Sequence, residues 1–170
     1  MSILAILGGT PLWVWLVLAA AMGLGALQMR PREVRAPRVT VLPVAMAALS
    51  VASIFGAFGG MPWALAAWLL GFVAVAYGFD ASASVRGAAW LPESGRLRVP
   101  GSRLPFLLIV GIFTVKYLAG VSVALRPLWS HDPAFAGGCS LLYGIFSGAF
   151  WGRARALRRL VRTDSLAVAA

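Results

Sequence analysis

The sequence predicts an all-α integral membrane protein. It reads as a five-transmembrane-helix bundle, N-out/C-in, with a short cytoplasmic β-hairpin-like loop between helices 3 and 4. Three observations predict this. Of 170 residues, 61% are apolar and 12% charged, whereas soluble domains carry about 25% charged residues. The apolar residues gather in five blocks close to the ~20 residues that a hydrocarbon core requires. The basic residues, finally, are sorted into alternate connecting segments rather than spread over the chain.

The predicted spans are residues 11–28, 39–58, 62–79, 104–125 and 133–152. Thr10-Pro11 and Asp132-Pro133 each place a capping residue before a proline at the first helical position, a pairing that starts helices well. Pro62 closely follows the glycines at 59 and 60, so spans two and three form a tight helical hairpin. The opening "MSILAILGGT" has no basic n-region, and a full-length span follows it. The first helix is therefore expected to be a retained anchor rather than a cleaved signal.

Orientation follows from arginine. Arg30, Arg32, Arg35 and Arg38 follow span one, and Arg86, Arg96, Arg98 and Arg103 follow span three. Arg153, Arg155, Arg158, Arg159 and Arg162 follow span five. With an odd span count these thirteen residues share one side, and the opposite side holds only Arg126. Basic residues are retained on the cytoplasmic side, so the chain is placed in the bacterial inner membrane with its arginines inside. Trp13, Trp63 and Trp129 then fall at the outer boundary and Trp151 at the inner one, as interfacial aromatics do. Trp15 and Trp68 lie deeper. The net charge of +10 is thus explained by topology and headgroup attraction, and no nucleic-acid partner is expected.

The chain reads as a single membrane domain with a cytoplasmic loop, 80–103, and a basic tail, 153–170. Within the loop, Pro92-Glu93-Ser94-Gly95 is a turn signal, and Arg96-Leu97-Arg98-Val99 alternates with period two. This predicts two short strands with Leu97 and Val99 on one face and the arginines on the other. The segment is a headgroup-associated connector or a docking surface for a cytoplasmic partner.

In the fifth span, "AGGCSLLYGIFSGAFWG" (136–152) repeats a small residue every fourth position: Ala136, Ser140, Gly144, Gly148 and Gly152. Such a row lets two helix backbones approach closely. The partner helix is the first, the fourth or one in a second copy, and packing within the chain is preferred. Cys139 is the only cysteine; it excludes an intrachain disulfide and reads as a small apolar interface residue.

One residue lacks so simple an account. "GIFTVKYLAG" (111–120) carries Lys116, the only lysine, in the middle of span four. It lies nine residues from Leu125, roughly 14 Å from the outer end at ~1.5 Å per residue. A lysine at helix centre costs on the order of 3 kcal/mol. No Asp or Glu falls inside any predicted span. Counting along the helices, Tyr143 and Gly144 of span five share its level and Ser147 lies one turn deeper; Thr114 and Tyr117 flank it. Three readings stay open. Lys116 is hydrogen-bonded inside the bundle to Tyr and Ser hydroxyls, or it lines a pocket or path for a polar ligand or proton, or it pairs with a carboxylate of a partner helix.

Catalysis is not expected. Ser130, His131 and Asp132 are consecutive, whereas a triad converges from separate elements; Asp132 is better read as a helix cap. Paired carboxylates, metal-ligand spacing and phosphate-cradling glycine loops are lacking, so no metal or other cofactor is expected.

The stretch "LPFLLIVGIFTVKYLAG", preceded by "VPGSR" and, upstream, by "RPREVRAPRVTVLPVAMAALS", resembles an uncharacterised family of small multi-pass proteobacterial inner-membrane proteins. It is more faintly similar to CcdC-like membrane proteins associated with cytochrome c biogenesis. Those share an Arg-rich first loop leading into a Leu-Pro-containing helix, a hairpin-like cytoplasmic loop and a basic residue in the following span. The resemblance implies a five-helix bundle and no defined activity. The chain has no C-x-x-C pair, so thiol redox chemistry is not implied. The expected role is a non-enzymatic accessory or assembly subunit in the lipid bilayer, with a membrane-protein partner or as a homo-oligomer. The alternative is a small transporter or permeation unit with Lys116 on its path.

Overall fold

Long apolar runs without internal breakers form helices, and each break between them has a local cause. In this computed structural model, residues 8–9, 11–78 and 81–168 are described, excepting the side chains of 13, 17, 83, 84 and 164–168. Thr10, Phe79, Asp80 and the side chain of Trp13 therefore lie outside the described residues. Among the described residues, five long helices are present: α1 (Leu12–Leu27), α2 (Val41–Phe58), α3 (Pro62–Gly78), α4 (Leu104–Leu125) and α5 (Pro133–Val168). Three helical segments, Ala36–Phe58, Leu104–Leu125 and Pro133–Thr163, are long and apolar enough to cross a membrane. The helices α1 and α3, of 16 and 17 residues, are apolar but shorter.

The α2–α3 turn is made by two consecutive left-handed glycines, Gly59 (φ 65°) and Gly60 (φ 70°). The Gly59 N–H donates to the Phe55 carbonyl at 3.1 Å, ending α2 as a glycine cap does. The start of α5 is capped by Asp132, whose Oδ1 accepts the Phe135 N–H at 2.7 Å.

The helix α5 is the spine. It runs beside α3 for most of α3's length and also touches α2 and α4, while α1 leans on α4. The small-residue row faces α3, rather than the first helix, the fourth or another copy. A Cβ on Gly144 would strike the Trp68 carbonyl, and one on Gly148 would lie 2.5 Å from the Phe72 carbonyl. The helix α3 answers with its own Gly71, where a Cβ would lie 2.5 Å from the Leu141 carbonyl. Small residues on both sides select this pairing, because each glycine admits the other helix's backbone.

The sequence reading ended the fifth span at 152 and began a basic tail. The helix α5 itself runs on past that point, without a break to Val168. "RARALRRLV" after Gly152 contains strong helix formers and no Gly or Pro. Its Ala154 and Leu157 are buried, and Leu160 and Val161 are partly so. That spacing makes an apolar stripe, and a sheet covers it.

The sheet has three antiparallel strands in the order β1-β3-β2: β1 (Arg32–Arg35), β2 (Ala89–Leu91) and β3 (Arg96–Val99). The strands β2 and β3 come from the segment after α3, and β1 comes from the segment after α1. On β3, Leu97 and Val99 are buried while Arg96 and Arg98 are exposed. The buried pair joins Val85 and Leu157 in one apolar cluster. On the outer face Glu33 pairs with Arg98 at 3.3 Å and, more loosely, with Arg96 at 3.9 Å. A second cluster, Ile54, Phe58, Ala64, Ala136 and Tyr143, fills the end of the bundle away from the sheet.

Candidate functional site

Lys116 is half-buried and points at α2. Its Nζ donates to Ser53 Oγ at 2.8 Å and to the Leu49 carbonyl at 3.0 Å. The Ser53 hydroxyl itself donates to the Leu49 carbonyl at 2.7 Å. Ammonium, hydroxyl and carbonyl thus close a small triangle that ties α4 to α2. The ammonium also lies 5.6 Å from the centroid of the Tyr143 ring on α5, within cation–π range. Three helices meet at this one charge.

The expected partners are partly reassigned. Tyr143 shares the level of Lys116, but offers its ring face. Ser147 is engaged elsewhere: its Oγ lies 2.9 Å from Ser50 Oγ, both fully buried. Ser50 spends its single proton on the Met46 carbonyl at 2.8 Å, so Ser147 donates to Ser50. The Thr114 hydroxyl returns to its own helix at the Val110 carbonyl, 2.9 Å away. Tyr117 stacks on Phe113 and meets Trp15 of α1 with the rings tilted by 47°. Reading the sequence missed Ser53 because depth was counted along the fifth span alone. Ser53 lies twelve residues into α2, as Lys116 lies twelve into α4; the same count on α2 selects it.

The residues of the small row divide by role. Gly144 and Gly148 make the backbone contact with α3, and Gly152 sits more loosely, its Cβ position 3.5 Å from the Ala76 carbonyl. Ser140 is fully buried, and its Oγ has no hydrogen-bond partner among the described residues; neither has the buried Trp68 Nε1. An unsatisfied buried hydroxyl costs about 1–3 kcal/mol. Ser140→Ala is therefore expected to raise the melting temperature in detergent, checked by a thermal unfolding curve beside the parent protein.

Cys139 is half-buried at the edge of the Tyr143 cluster, and no group of three His, Cys, Asp or Glu that could hold a metal occurs among the described residues. The Lys116–Ser53 and Ser50–Ser147 contacts inside the bundle join helices.

The three helical segments long and apolar enough to cross a membrane, and the large apolar side chains left exposed, from Leu16 and Leu24 to Leu107 and Leu118, suggest a membrane protein. Its polar site is a lysine clamp between three of the helices. The chain belongs to a family of unknown function, DUF6622, whose family model matches residues 1–168. No curated protein and no solved structure matches it.

Proposed function

We propose that this is a non-enzymatic accessory or assembly subunit of the bacterial inner membrane, spanning it five times with the N-terminus out and the C-terminus in. The topology is supported by where the arginines gather. The segments after α1 and α3 share one sheet, and the far part of α5 packs on it. The thirteen arginines of these segments thus belong to one end of the molecule, as the positive-inside rule asks of a cytoplasmic face.

The observation that carries the functional reading is the Lys116 clamp. A permeation path asks for a polar group turned toward water or substrate; Lys116 instead spends its protons on the Ser53 hydroxyl and the Leu49 carbonyl. The small-residue row, too, is used up within the chain. What remains for partners is the surface: broad apolar helix faces in the bilayer and the Arg-bearing outer face of the sheet.

Two measurements test this. Purification in mild detergent, with cross-linking beforehand, is expected to recover a stable membrane-protein partner or a homo-oligomer. A clean monomer that cross-links to nothing overturns the reading. Lys116→Met removes the charge at a site where it costs on the order of 3 kcal/mol to insert, and leaves the Ser53–Leu49 bond intact. It is expected to fold with a lower melting temperature, because the two hydrogen bonds that tie α4 to α2 are lost. Solute or proton flux that depends on Lys116 in proteoliposomes would replace the assembly reading with a transport one.

A further inference from the structure

Directly opposed residues of an antiparallel pair share a face. Arg32 is opposite Val99 and Val34 is opposite Leu97, and both β3 residues are buried. Arg32 therefore lies on the inner face of the sheet, unlike its neighbours. Glu33 is opposite Arg98, on the outer face, where it holds Arg96 and Arg98. The only carboxylate of β1 is thus turned away from Arg32.

What Arg32 faces instead is more positive charge. It lines a cavity of ≈ 70 Å³ together with Arg153 of α5 and Arg38 of the 3-10 turn before α2. Arg153 is 8% exposed, and Arg32 acts on it as a like charge. Gln28 completes the polar rim, its Oε1 accepting from Arg32 Nη2 at 3.3 Å. The remaining wall is largely aliphatic, including Leu42 and Pro105 from the first turns of α2 and α4, and none of the lining residues carries a carboxylate. Arg153 has contacts of its own, so Arg32 and Arg38, both exposed on one side, supply the open donors. Desolvation within these walls holds the Arg32 guanidinium below the ordinary arginine pKa, while arginine stays charged at neutral pH.

Three guanidiniums around one half-apolar cavity repel each other unless an anion joins them. Planar, forked donors match the oxygens of a phosphate. The volume is several times the ~10–15 Å³ a single water needs and far below the ~300 Å³ where pockets for whole small molecules begin. That fits one tetrahedral oxyanion and excludes an enclosed nucleotide. We infer that the cavity between β1, the start of α2 and α5, lined by Arg32, Arg38, Arg153 and Gln28, binds a phosphate group. In the proposed topology its aliphatic wall lies at the inner headgroup level, where basic pockets between helices take lipid phosphates; a soluble phosphate offers the same chemistry.

The test is thermal unfolding of the purified full chain in two arms. One adds phosphatidylglycerol or, as reference, phosphatidylcholine, whose own cation screens its phosphate. The other replaces chloride by inorganic phosphate at equal ionic strength. At about a hundredfold excess over Kd, binding raises the melting temperature by roughly 5–10 °C. The rise is expected in the parent protein and in Arg35→Gln, whose arginine is opposite Arg96 on the outer face. It is expected to vanish in Arg32→Gln and Arg38→Gln. A rise in the lipid arm alone assigns the ligand as a headgroup; a rise in both arms assigns phosphate itself. No rise in either arm, or an equal loss in Arg35→Gln, overturns the inference. If Arg32→Gln fails to fold, the exposed Arg38 carries the comparison.

Discussion

Gly144→Leu is expected to leave no folded protein in detergent extracts, and even Gly144→Ala to destabilise by at least about 3 kcal/mol, the upper end of overpacking costs. The reason is what lies opposite. A Cβ at 144 meets the Trp68 carbonyl, and 2.9 Å away the Phe72 nitrogen; both are helical backbone and neither can rotate aside. Gly148 repeats the situation one turn on, with the Phe72 carbonyl at 2.5 Å. In a bilayer, separated helices regain apolar contact from lipid, so nothing offsets lost close packing. Gly137, on the same helix with nothing within 4 Å of its Cβ position, is the control. Gly137→Ala is expected to be neutral or stabilising by ~0.5–1 kcal/mol through helix propensity alone. Elution as a single folded species and a melting curve distinguish the two substitutions. Equal tolerance at both positions would refute the backbone contact.

Leu97→Asp produces the second large effect, and a local one. Leu97 is completely buried between the strands and α5; even Leu97→Ala should cost about 2–5 kcal/mol there. An unpartnered carboxylate costs more. The sheet cluster of Val85, Leu97, Val99 and Leu157 is separate from the Tyr143 cluster. The far part of α5 is therefore expected to come away while the bundle holds. Trypsin reads this directly, since Arg155, Arg158, Arg159 and Arg162 lie on the part released. Cleavage there should accelerate strongly in Leu97→Asp with no change in the elution of the uncut protein. Aggregation of the whole chain would show that the two clusters do not unfold separately.

Much of this frame is visible in the letters, because apolar runs, capping residues and glycine turns act locally. The Asp132 cap and the left-handed glycines after Phe58 are of this kind. The alternation at Arg96–Val99 is as plain, being period two with a turn before it. The strand Arg32–Arg35 was not visible. "REVR" has one apolar residue in four and looks like topology-setting charge; only its partner β3, more than sixty residues away, makes it a strand. The far part of α5 is hidden for a related reason: five arginines between 153 and 162 mask the apolar stripe at Ala154, Leu157 and Val161. For Lys116 the lack of Asp and Glu in the predicted spans left open the hydroxyls and carbonyls of the chain, a ligand and a carboxylate of a partner helix; within the chain it meets the Ser53 hydroxyl and the Leu49 carbonyl. The choice of Ser53 over Ser147 depended on which helix stands beside α4, and small residues select neighbours without naming them.

The sheet also has a meaning in time. Arg32 and Val99 are 67 residues apart, so at ~5–20 residues per second β1 emerges roughly 3–13 s before its partner is complete. Meanwhile Arg30, Arg32, Arg35 and Arg38 keep the waiting strand from pairing with a wrong edge, as charged edges do. The covering stretch of α5 is made last. In the proposed topology, a chain whose second or third helix failed to cross would leave β1 and β3 on opposite sides of the bilayer, and the sheet could not close. Pairing of β1 with β3 is therefore expected only in a chain whose second and third helices both cross.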